Sequence, residues 1–426
     1  MSVTSKTAKQ IRDRLLGTTD VETCRKRLQP RLPADYPLKE RVPAGNDHTY
    51  QGLSRRQDWL RKTGVALDAL SGRSPAPDPA SLAGNIENLI GFSQVPVGVI
   101  GPLRINGTEA HGDYYVPLAT TEGALVASCH RGAYAISQAG GATVMCLTEA
   151  VTRAPCFVFE RMVEACQFLE FVIGRASEFQ ALVSKGSRHC RLVDFRPTLA
   201  GKTLYLGFEY QTGDAAGQNM VTLATDALCR FLVEASPVKP RSWYVEGNMS
   251  GDKKATMLSF LTARGKKVIA EAIIPARLLQ RAVHVTPAEF VRYGHVATMG
   301  GALSGSIGVQ GHYANPLAAL FIACGQDAAC VSEAAIGMTD MTLTERGDLQ
   351  VCVSLPNLIV GTVGGGTHLP TARECLDMLG CSGEKSSRRF AEICAATVLA
   401  AEISIIAALA AGQFTAAHAK YGRRKK

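Results

Sequence analysis

The segment Asp214-Ala215-Ala216-Gly217-Gln218-Asn219-Met220 places an acidic turn of small residues directly before an apolar helix predicted over residues 221–233. Small side chains let a ligand approach the backbone, and the positive end of a helix favours an anion. Taken alone, the same pattern is more often a plain helix cap than a nucleotide site. The chain contains no G-x-G-x-x-G and no P-loop sequence, so a dinucleotide bound here requires a fold other than the Rossmann fold.

Composition indicates a globular protein of about two or three domains, since 46% of its 426 residues are hydrophobic and 19% are charged. The net charge of +9 suits nucleic acid, a membrane surface or a polyanionic small molecule. Aromatic residues make up only 6% and do not alternate with a basic stripe, so we expect no nucleic acid partner.

Cysteine and histidine spacing gives no support for a metal site. The 13 cysteines include no C-x-x-C pair, and the nine histidines show no H-x-x-x-H spacing. A reducing compartment and no metal are therefore predicted. No uncharged apolar run reaches about 18 residues, the length of a spanning helix, so we expect a cytoplasmic protein without a membrane partner. Residues 1–31 are basic, but Asp13, Asp20 and Glu22 make a solvated amphipathic helix a better interpretation than a transit peptide.

The chain divides into four predicted parts. Residues 1–80 form an N-terminal arm with helical character, and residues 81–154 begin a large domain with a hairpin turn at Asn106-Gly107 and a helix over 122–139. In residues 155–244, β-rich and helical runs alternate, which predicts a small inserted α+β domain. Residues 245–426 complete the large domain: the chain beyond Gly300 is expected to be helical, with a buried helix over 390–411 and a mobile C-terminal tail.

Several charged residues lie in apolar or glycine-rich segments, where exposure to solvent alone does not explain their presence. Glu122 and Asp327 are lone carboxylates in apolar runs, and burial would keep Glu122 protonated, whereas Asp327 would need a cationic partner such as Lys253. Lys253 lies in an Asp-Lys-Lys run on a glycine-framed loop, and His418 lies in the tail. Taken one at a time, these segments are better explained by a helix-terminal charge or a solvated turn than by a catalytic site.

Several blocks together resemble one family, the 3-hydroxy-3-methylglutaryl-coenzyme A reductases, in their order along the chain and from about residue 30 to the end. Glu87-Asn88-Leu89-Ile90-Gly91 is similar to an element that belongs to the dimer contact in that family. The other blocks are residues 117–128, 214–220, 252–254, 323–329 and 359–367.

The resemblance implies a two-lobed α+β/α/β fold, in which a small ferredoxin-like, non-Rossmann NADP-binding domain is inserted in a larger helical/β coenzyme A-binding domain. It implies a two-step reduction of 3-hydroxy-3-methylglutaryl-coenzyme A to mevalonate, with NADPH preferred over NADH, by a homodimer or higher homo-oligomer. Lys253 would stabilise the developing oxyanion, Asp327 would hold Lys253, Glu122 would protonate the aldehyde, and His418 would protonate the coenzyme A thiolate.

The resemblance also assigns binding residues. Those expected to contact the cofactor are Asp214, Gly217, Gln218, Asn219, Met220, Gly364, Gly365, Gly366 and Arg423. Those expected to contact the acyl group or coenzyme A are Arg131, Arg153, Asn248, Asp252, Lys254 and Asn315. Arg423 favours NADPH, although a plain basic tail explains it as well.

Two departures from the family pattern bear on the substrate. Val296 stands where the family carries a lysine, and Glu246 stands where eukaryotic-type members carry a serine that faces the substrate carboxylate. Losing an ammonium and gaining a carboxylate weakens the binding of a carboxylate-bearing acyl group. Two alternatives therefore stay open: a reductase of the same fold acting on another 3-hydroxyacyl-coenzyme A, and a non-catalytic acyl-coenzyme A binder. Arg424 stands near the serine of regulated members, so phosphorylation there is not expected.

Overall fold

A computed structural model describes residues 6–16, 20–262 and 264–412 of the chain. These residues form fourteen α-helices and a mixed sheet of eleven strands. The helices are α1 (Lys6–Leu16), α2 (Val21–Arg27), α3 (Tyr50–Lys62), α4 (Leu125–Gln138), α5 (Met162–Gly174), α6 (Phe179–Gly186), α7 (Gln218–Ala235), α8 (Leu258–Leu261), α9 (Ala276–Val283), α10 (Pro287–Ser304), α11 (Ala314–Ala323), α12 (Val331–Ala334), α13 (Pro370–Met378) and α14 (Ser387–Ala410). The strands are β1 (Val97–Gly107), β2 (His111–Ala119), β3 (Ala142–Arg153), β4 (Cys156–Val158), β5 (Arg191–Ala200), β6 (Thr203–Gln211), β7 (Ser242–Tyr244), β8 (Gly265–Ile274), β9 (Gly308–Val309), β10 (Gly337–Leu343) and β11 (Leu349–Leu358).

Strand β3 connects the two parts of the sheet. Its residues 143–150 pair antiparallel with β8, which continues through β11 and β10 to β9, while β1 pairs with its first residues. Its last residues, 151–153, pair with β6. The large sheet and the small sheet therefore share one continuous strand, and Arg153 stands at the end of that strand.

The small sheet has the order β7-β4-β6-β5. Helices α5 and α6 connect β4 to β5, and α7 connects β6 to β7, so the chain follows the β-α-β-β-α-β path of a ferredoxin-like unit. Its core contains Phe157, Phe168 and Phe208, all fully buried. The mixed α+β architecture with a ferredoxin-like, non-Rossmann unit is thus confirmed. The domain boundaries at 80, 154 and 244 stay predictions.

Helix α14 forms the centre of the larger part. Almost all of its residues are buried, and Gly132 of α4 packs against it so closely that a Cβ atom there would lie 1.8 Å from the carbonyl oxygen of Ala400. By length and composition α14 resembles a membrane-spanning helix, but most of it is buried inside the protein. Its two buried glutamates accept backbone N–H groups, Glu392 from Ala110 and Glu402 from Gly311. The predicted buried helix is confirmed.

Four local expectations need correction. Asn106 and Gly107 are the last residues of β1 rather than the hairpin turn, because the Asn106 amide donates to the Gly140 carbonyl and holds the residue inside the sheet. The helix expected from residue 122 begins at Leu125. The chain beyond Gly300 includes β10 and β11 as well as helices. The basic N-terminal helix is not wholly solvated, because Arg14 pairs with Glu149 at 2.7 Å with both side chains 12% exposed.

Candidate active site

A cavity of about 2450 Å³ collects most of the predicted catalytic and cofactor-binding residues. It lies between residues of the N-terminal arm, the turn before α4, the first turn of α7 and the glycine-rich segment after β11. The predicted residues that line it are Glu122, Gly217, Gln218, Asn219, Met220, Lys253, Asp327, Gly364, Gly365 and Gly366. Residues far apart in the sequence therefore meet at one opening.

Lys253 and Asp327 form an ion pair at this cavity. The Nζ atom of Lys253 lies 2.7 Å from Oδ2 of Asp327, and both side chains are 42% exposed. The hydrogen bond to Asp327 raises the pKa of Lys253 above its usual range. Burial pushes the pKa of Asp327 upward, but the hydrogen bonds from Lys253 and from the Ala329 N–H outweigh it and the net change is a lowering. Both groups are thus held in their charged forms.

The position of Asp327 differs from the expected apolar helix. Helix α11 ends at Ala323, and Asp327 accepts the Ala329 N–H at 3.0 Å as the cap of a short 3-10 turn, Ala328–Cys330. This capping leaves the second carboxylate oxygen for Lys253. The expected pairing with a cation is confirmed, and the expected burial is wrong.

Glu122 is exposed, so the expected burial of its side chain is wrong. It lies in the turn between β2 and α4, where its backbone N–H donates to Thr120 Oγ1. Asn315 of α11 donates to both carboxylate oxygens from Nδ2, at 2.9 and 3.1 Å. Asn315, expected to contact the acyl group, therefore orients Glu122 beside the cavity.

The glycine-rich wall of the cavity fits an extended phosphate-bearing ligand. Gly364 and Gly365 have φ angles of 77° and 57°, and a Cβ atom on either would meet nothing within 4 Å, so their backbone borders open space. Beside them Gly217 opens α7 in the left-handed conformation, and no side chain caps that helix. A parallel bridge between Ala215 and Val363 joins the two segments. Backbone N–H groups and a free helix N-terminus are the groups that bind phosphates.

Asp214 has a structural task in this arrangement. Its carboxylate accepts the backbone N–H of Lys385 at 2.7 Å and that of Ser387 at 3.0 Å, and so caps the start of α14. Gln218 donates to the Cys330 sulfur at 3.0 Å. Contact of either side chain with a cofactor stays a prediction.

Arg153 lies beneath the Asp-Lys-Lys loop and is already paired with two carboxylates. Its Nη1 atom lies 2.9 Å from Oδ2 of Asp252 and 3.2 Å from Oε2 of Glu246. The other Glu246 oxygen, Oε1, is buried without a hydrogen-bond partner. Glu246, one of the two departures from the family pattern, thus forms an ion pair with Arg153, the residue that the resemblance assigns to binding of the acyl group.

The remaining predicted residues are more scattered. Arg131 donates to Oγ and the carbonyl of Ser404 and so joins α4 to α14. Asn248 is exposed with a positive φ, and Lys254 is exposed with Nζ donating to the Asp252 carbonyl. Val296 is 65% exposed on α10, outside the described lining of the cavity. His418 and Arg423 lie outside the described residues.

Two buried residues near Lys253 were not anticipated. Arg264 donates to Oε2 of Glu333 at 2.8 Å and contacts Oδ1 of Asp252, and Glu333 accepts the backbone N–H of Lys253 at 3.2 Å. Glu333 is the only charged residue between Asp327 and Asp340. The signal that singled out Asp327, a lone charge in an apolar run, identifies Glu333 equally well.

Metal-ligating clusters are not seen in the part of the chain that the structure describes. All 13 cysteines are free thiols.

The sequence of this chain matches known proteins of one family. Residues 52–423 match the family model described as hydroxymethylglutaryl-coenzyme A reductase. The chain is 41% identical over 377 residues to the 3-hydroxy-3-methylglutaryl-coenzyme A reductase of Pyrococcus abyssi, covering 87% of this chain and 92% of the relative. It is 43% identical over 379 residues to the reductase of Aeropyrum pernix, covering 87% and 89%.

A solved structure shares the fold. It is the class II 3-hydroxy-3-methylglutaryl-CoA reductase of Streptococcus pneumoniae, bound to NADPH in open conformations. The TM-score is 0.69 at 19% identity, over 86% of this chain and 99% of that chain.

Proposed function

Because this chain belongs to the hydroxymethylglutaryl-coenzyme A reductase family, we propose that it reduces 3-hydroxy-3-methylglutaryl-coenzyme A to mevalonate and coenzyme A in two NADPH-dependent steps. The observation that carries this proposal is the Lys253–Asp327 ion pair of 2.7 Å, placed in one cavity with Glu122 and with the glycine-rich wall. The alternative of a mere acyl-coenzyme A binder does not need an ammonium held charged beside an oriented carboxylate.

Lys253 is the group suited to the reduction of a carbonyl. Each reduction puts negative charge on a carbonyl oxygen, and a fixed ammonium stabilises that charge without reorganising at the moment of reaction; the loss of one such donor typically costs about 3 kcal/mol. Asp327 keeps the ammonium charged and limits its movement, because its carboxylate is fixed by the Ala329 N–H.

Proton transfer falls to Glu122 and His418. Glu122, oriented by Asn315, protonates the aldehyde oxygen in the second reduction. His418 protonates the departing thiolate in the first reduction, a task that suits a group titrating near neutral pH. The family resemblance assigns this role to His418, which follows α14 in the sequence.

NADPH supplies the hydride in both steps. The residues that would hold it are those of the α7 N-terminus, residues 217–220, and the adjacent glycines 364–366. The open space over Gly364 and Gly365 supports close approach of the cofactor to the backbone. Arg423 supports a preference for NADPH over NADH.

A homodimer in the cytoplasm is the proposed assembly and location. Ile86, Ile90 and Phe92, in and around the block similar to the family's dimer contact, are half exposed or more. An unpaired apolar segment of this kind supports a protein interface. The 13 free thiols support a reducing compartment.

One observation favours a second candidate, a reductase of the same family fold acting on another 3-hydroxyacyl-coenzyme A. Glu246 forms an ion pair with Arg153 and places a second carboxylate beside that of Asp252. A substrate carboxylate meets repulsion there, whereas an uncharged acyl terminus does not.

Assays of NADPH oxidation with a panel of acyl thioesters separate the two candidates. We expect the 3-hydroxy-3-methylglutaryl thioester to have the highest kcat/KM, with NADH as the poorer cofactor. A higher kcat/KM for an uncharged 3-hydroxyacyl thioester would establish the second candidate instead, and oxidation of NADPH by none of them would contradict both.

A further inference from the structure

The backbone of Lys253 has an unusual conformation that requires a stabilising contact. Its φ angle is 53°, in the left-handed region that residues with a Cβ atom rarely adopt. Gly251, two residues earlier, is also left-handed, with φ 77°. This backbone conformation fixes the direction in which the Lys253 side chain leaves the loop toward Asp327.

Glu333 contacts the backbone at that point. Its side chain is fully buried, and its Oε1 atom accepts the Lys253 N–H at 3.2 Å. Its Oε2 atom accepts Nε of Arg264 at 2.8 Å and Nδ2 of Asn357 at 3.1 Å. Arg264, itself 1% exposed, neutralises the buried carboxylate and also pairs with Asp252, the residue before Lys253. Two consecutive loop residues are thus tied to one buried ion pair.

Glu333 and Asp327 belong to one short segment. Asp327 caps the 3-10 turn Ala328–Cys330, which leads directly into α12 (Val331–Ala334), where Glu333 lies. Asp327 holds the ammonium of Lys253 and Glu333 holds its backbone N–H. The segment therefore contacts both the side-chain ammonium and the backbone N–H of Lys253. These two contacts fix the ammonium relative to the cavity.

We propose that Glu333 is a positioning residue for reduction, acting through the backbone N–H of Lys253 rather than by contact with substrate or cofactor. The inference rests on the proposed function only through the role of Lys253 in turnover. Without the contact, the loop relaxes out of the left-handed conformation and the ammonium leaves Asp327. The turnover number then falls, whereas NADPH binding is expected to change less, because Glu333 does not line the cavity.

Two substitutions test this role. Glu333→Asp keeps the charge but is one methylene too short to reach Lys253 and Arg264 together, and Glu333→Gln keeps the size but loses the charge that Arg264 needs. Glu392→Gln is the matched control, because Glu392 is also fully buried and accepts the backbone N–H groups of Glu109 at 2.9 Å and Ala110 at 2.7 Å, residues that do not line the cavity.

We expect Glu333→Asp and Glu333→Gln to lower kcat at least 10-fold, with the KM for NADPH changed less than 2-fold. Glu392→Gln, assayed below its own melting temperature, should keep wild-type kcat even if its Tm falls as much as that of the Glu333 variants. Equal loss of kcat in Glu392→Gln, or a wild-type kcat in a folded Glu333→Asp protein, would overturn the proposal.

A second measurement tests the position of Lys253 without depending on catalytic activity. Competitive acetylation of lysines across pH, quantified by mass spectrometry, reports the pKa and access of the Lys253 amine, with exposed Lys202 as the internal reference. The contact with Asp327 raises the pKa of Lys253. Loss of that contact in either Glu333 variant should therefore increase acetylation of Lys253 several-fold at fixed pH. Unchanged acetylation would overturn the positioning role. If the wild type reduces no tested thioester but acetylation changes as expected, the proposed function fails and the positioning role stands.

Discussion

The ammonium of Lys253 lies 2.7 Å from the carboxylate of Asp327, and both side chains are 42% exposed. Ion pairs with this exposure contribute little to stability, typically about 0 to 1 kcal/mol, because water and salt screen them. The pair therefore matters for the charge that it presents to the cavity. Its removal is expected to affect turnover far more than folding.

Lys253→Ala should lower kcat at least ~100-fold, the range seen when one oxyanion donor is lost. The Tm should change little, because the pair is half exposed. Steady-state kinetics and thermal unfolding measure the two effects, with Lys202→Ala in the exposed β5–β6 turn as the control. Near wild-type turnover would remove Lys253 from the mechanism.

Gly365→Ala should weaken NADPH binding about 10-fold, because the added Cβ atom would occupy the open space through which the cofactor is expected to approach the backbone. Gly365 has φ 57° and lines the cavity beside the first turn of α7. Gly201→Ala is the matched control, with φ 59° and open space around its Cβ position, but in the β5–β6 turn. Equal KM values for NADPH in the two variants would show that the glycine-rich wall does not contact the cofactor.

Glu246→Ser should lower the KM for 3-hydroxy-3-methylglutaryl-coenzyme A, because it frees Arg153 from one of its two carboxylates. A regained hydrogen bond to a charged group contributes about 1.5 to 3 kcal/mol. Adding Val296→Lys should lower the KM further only if α10 approaches the acyl group, and the two effects need not add. A KM that rises in Glu246→Ser, or that falls equally for a substrate methyl ester, would contradict this assignment.

Glu149→Gln should destabilise the protein in a pH-dependent way. Burial alone would raise the pKa of Glu149, but the Arg388 hydrogen bond and the charges of Lys266, Arg14 and Arg388 hold it at about 2, below the usual 4.5. Because the folded-state pKa is lowered, the stabilisation is present above pH 4.5 and is lost as the pH falls toward 2. By linkage it amounts to about 3 kcal/mol at pH 5 and above, and to under half of that near pH 3.

Denaturant unfolding of wild type and Glu149→Gln at pH 3, 5 and 7 measures this difference. Glu109→Gln is the control, since Glu109 contacts the same Arg388 at 3.6 Å but is 36% exposed. A difference in unfolding free energy that does not decrease toward pH 3 would show that Glu149 acts by packing rather than by charge.

Part of the site could be predicted from sequence. A lone carboxylate in an apolar run needs a partner, and this rule correctly paired Asp327 with Lys253. The same rule applies to Glu333, whose contacts with Arg264 and the Lys253 backbone come from distant segments. Chemical need for a partner is visible in a sequence, but the identity of the partner depends on the fold.

Burial and capping were harder to predict. The neighbours of Glu122 are apolar because β2 and α4 pack on either side, whereas the turn that carries Glu122 faces solvent. Asp214 directly precedes α7 in the sequence, yet its carboxylate caps α14, 173 residues later. Both errors arise because tertiary contacts, rather than local sequence, decide which groups water reaches. The order of the ferredoxin-like strands was available only from the family resemblance.

A complete two-step reduction at one site fixes the ratio of NADPH consumed to coenzyme A thiol released. Purified protein is mixed with limiting 3-hydroxy-3-methylglutaryl-coenzyme A, NADPH oxidation is followed by absorbance, and free coenzyme A is followed with a thiol reagent in parallel. We predict two NADPH oxidised for each thiol released. A ratio of one, which means that reduction stops at the aldehyde, or thiol release without oxidation of NADPH, would contradict the account.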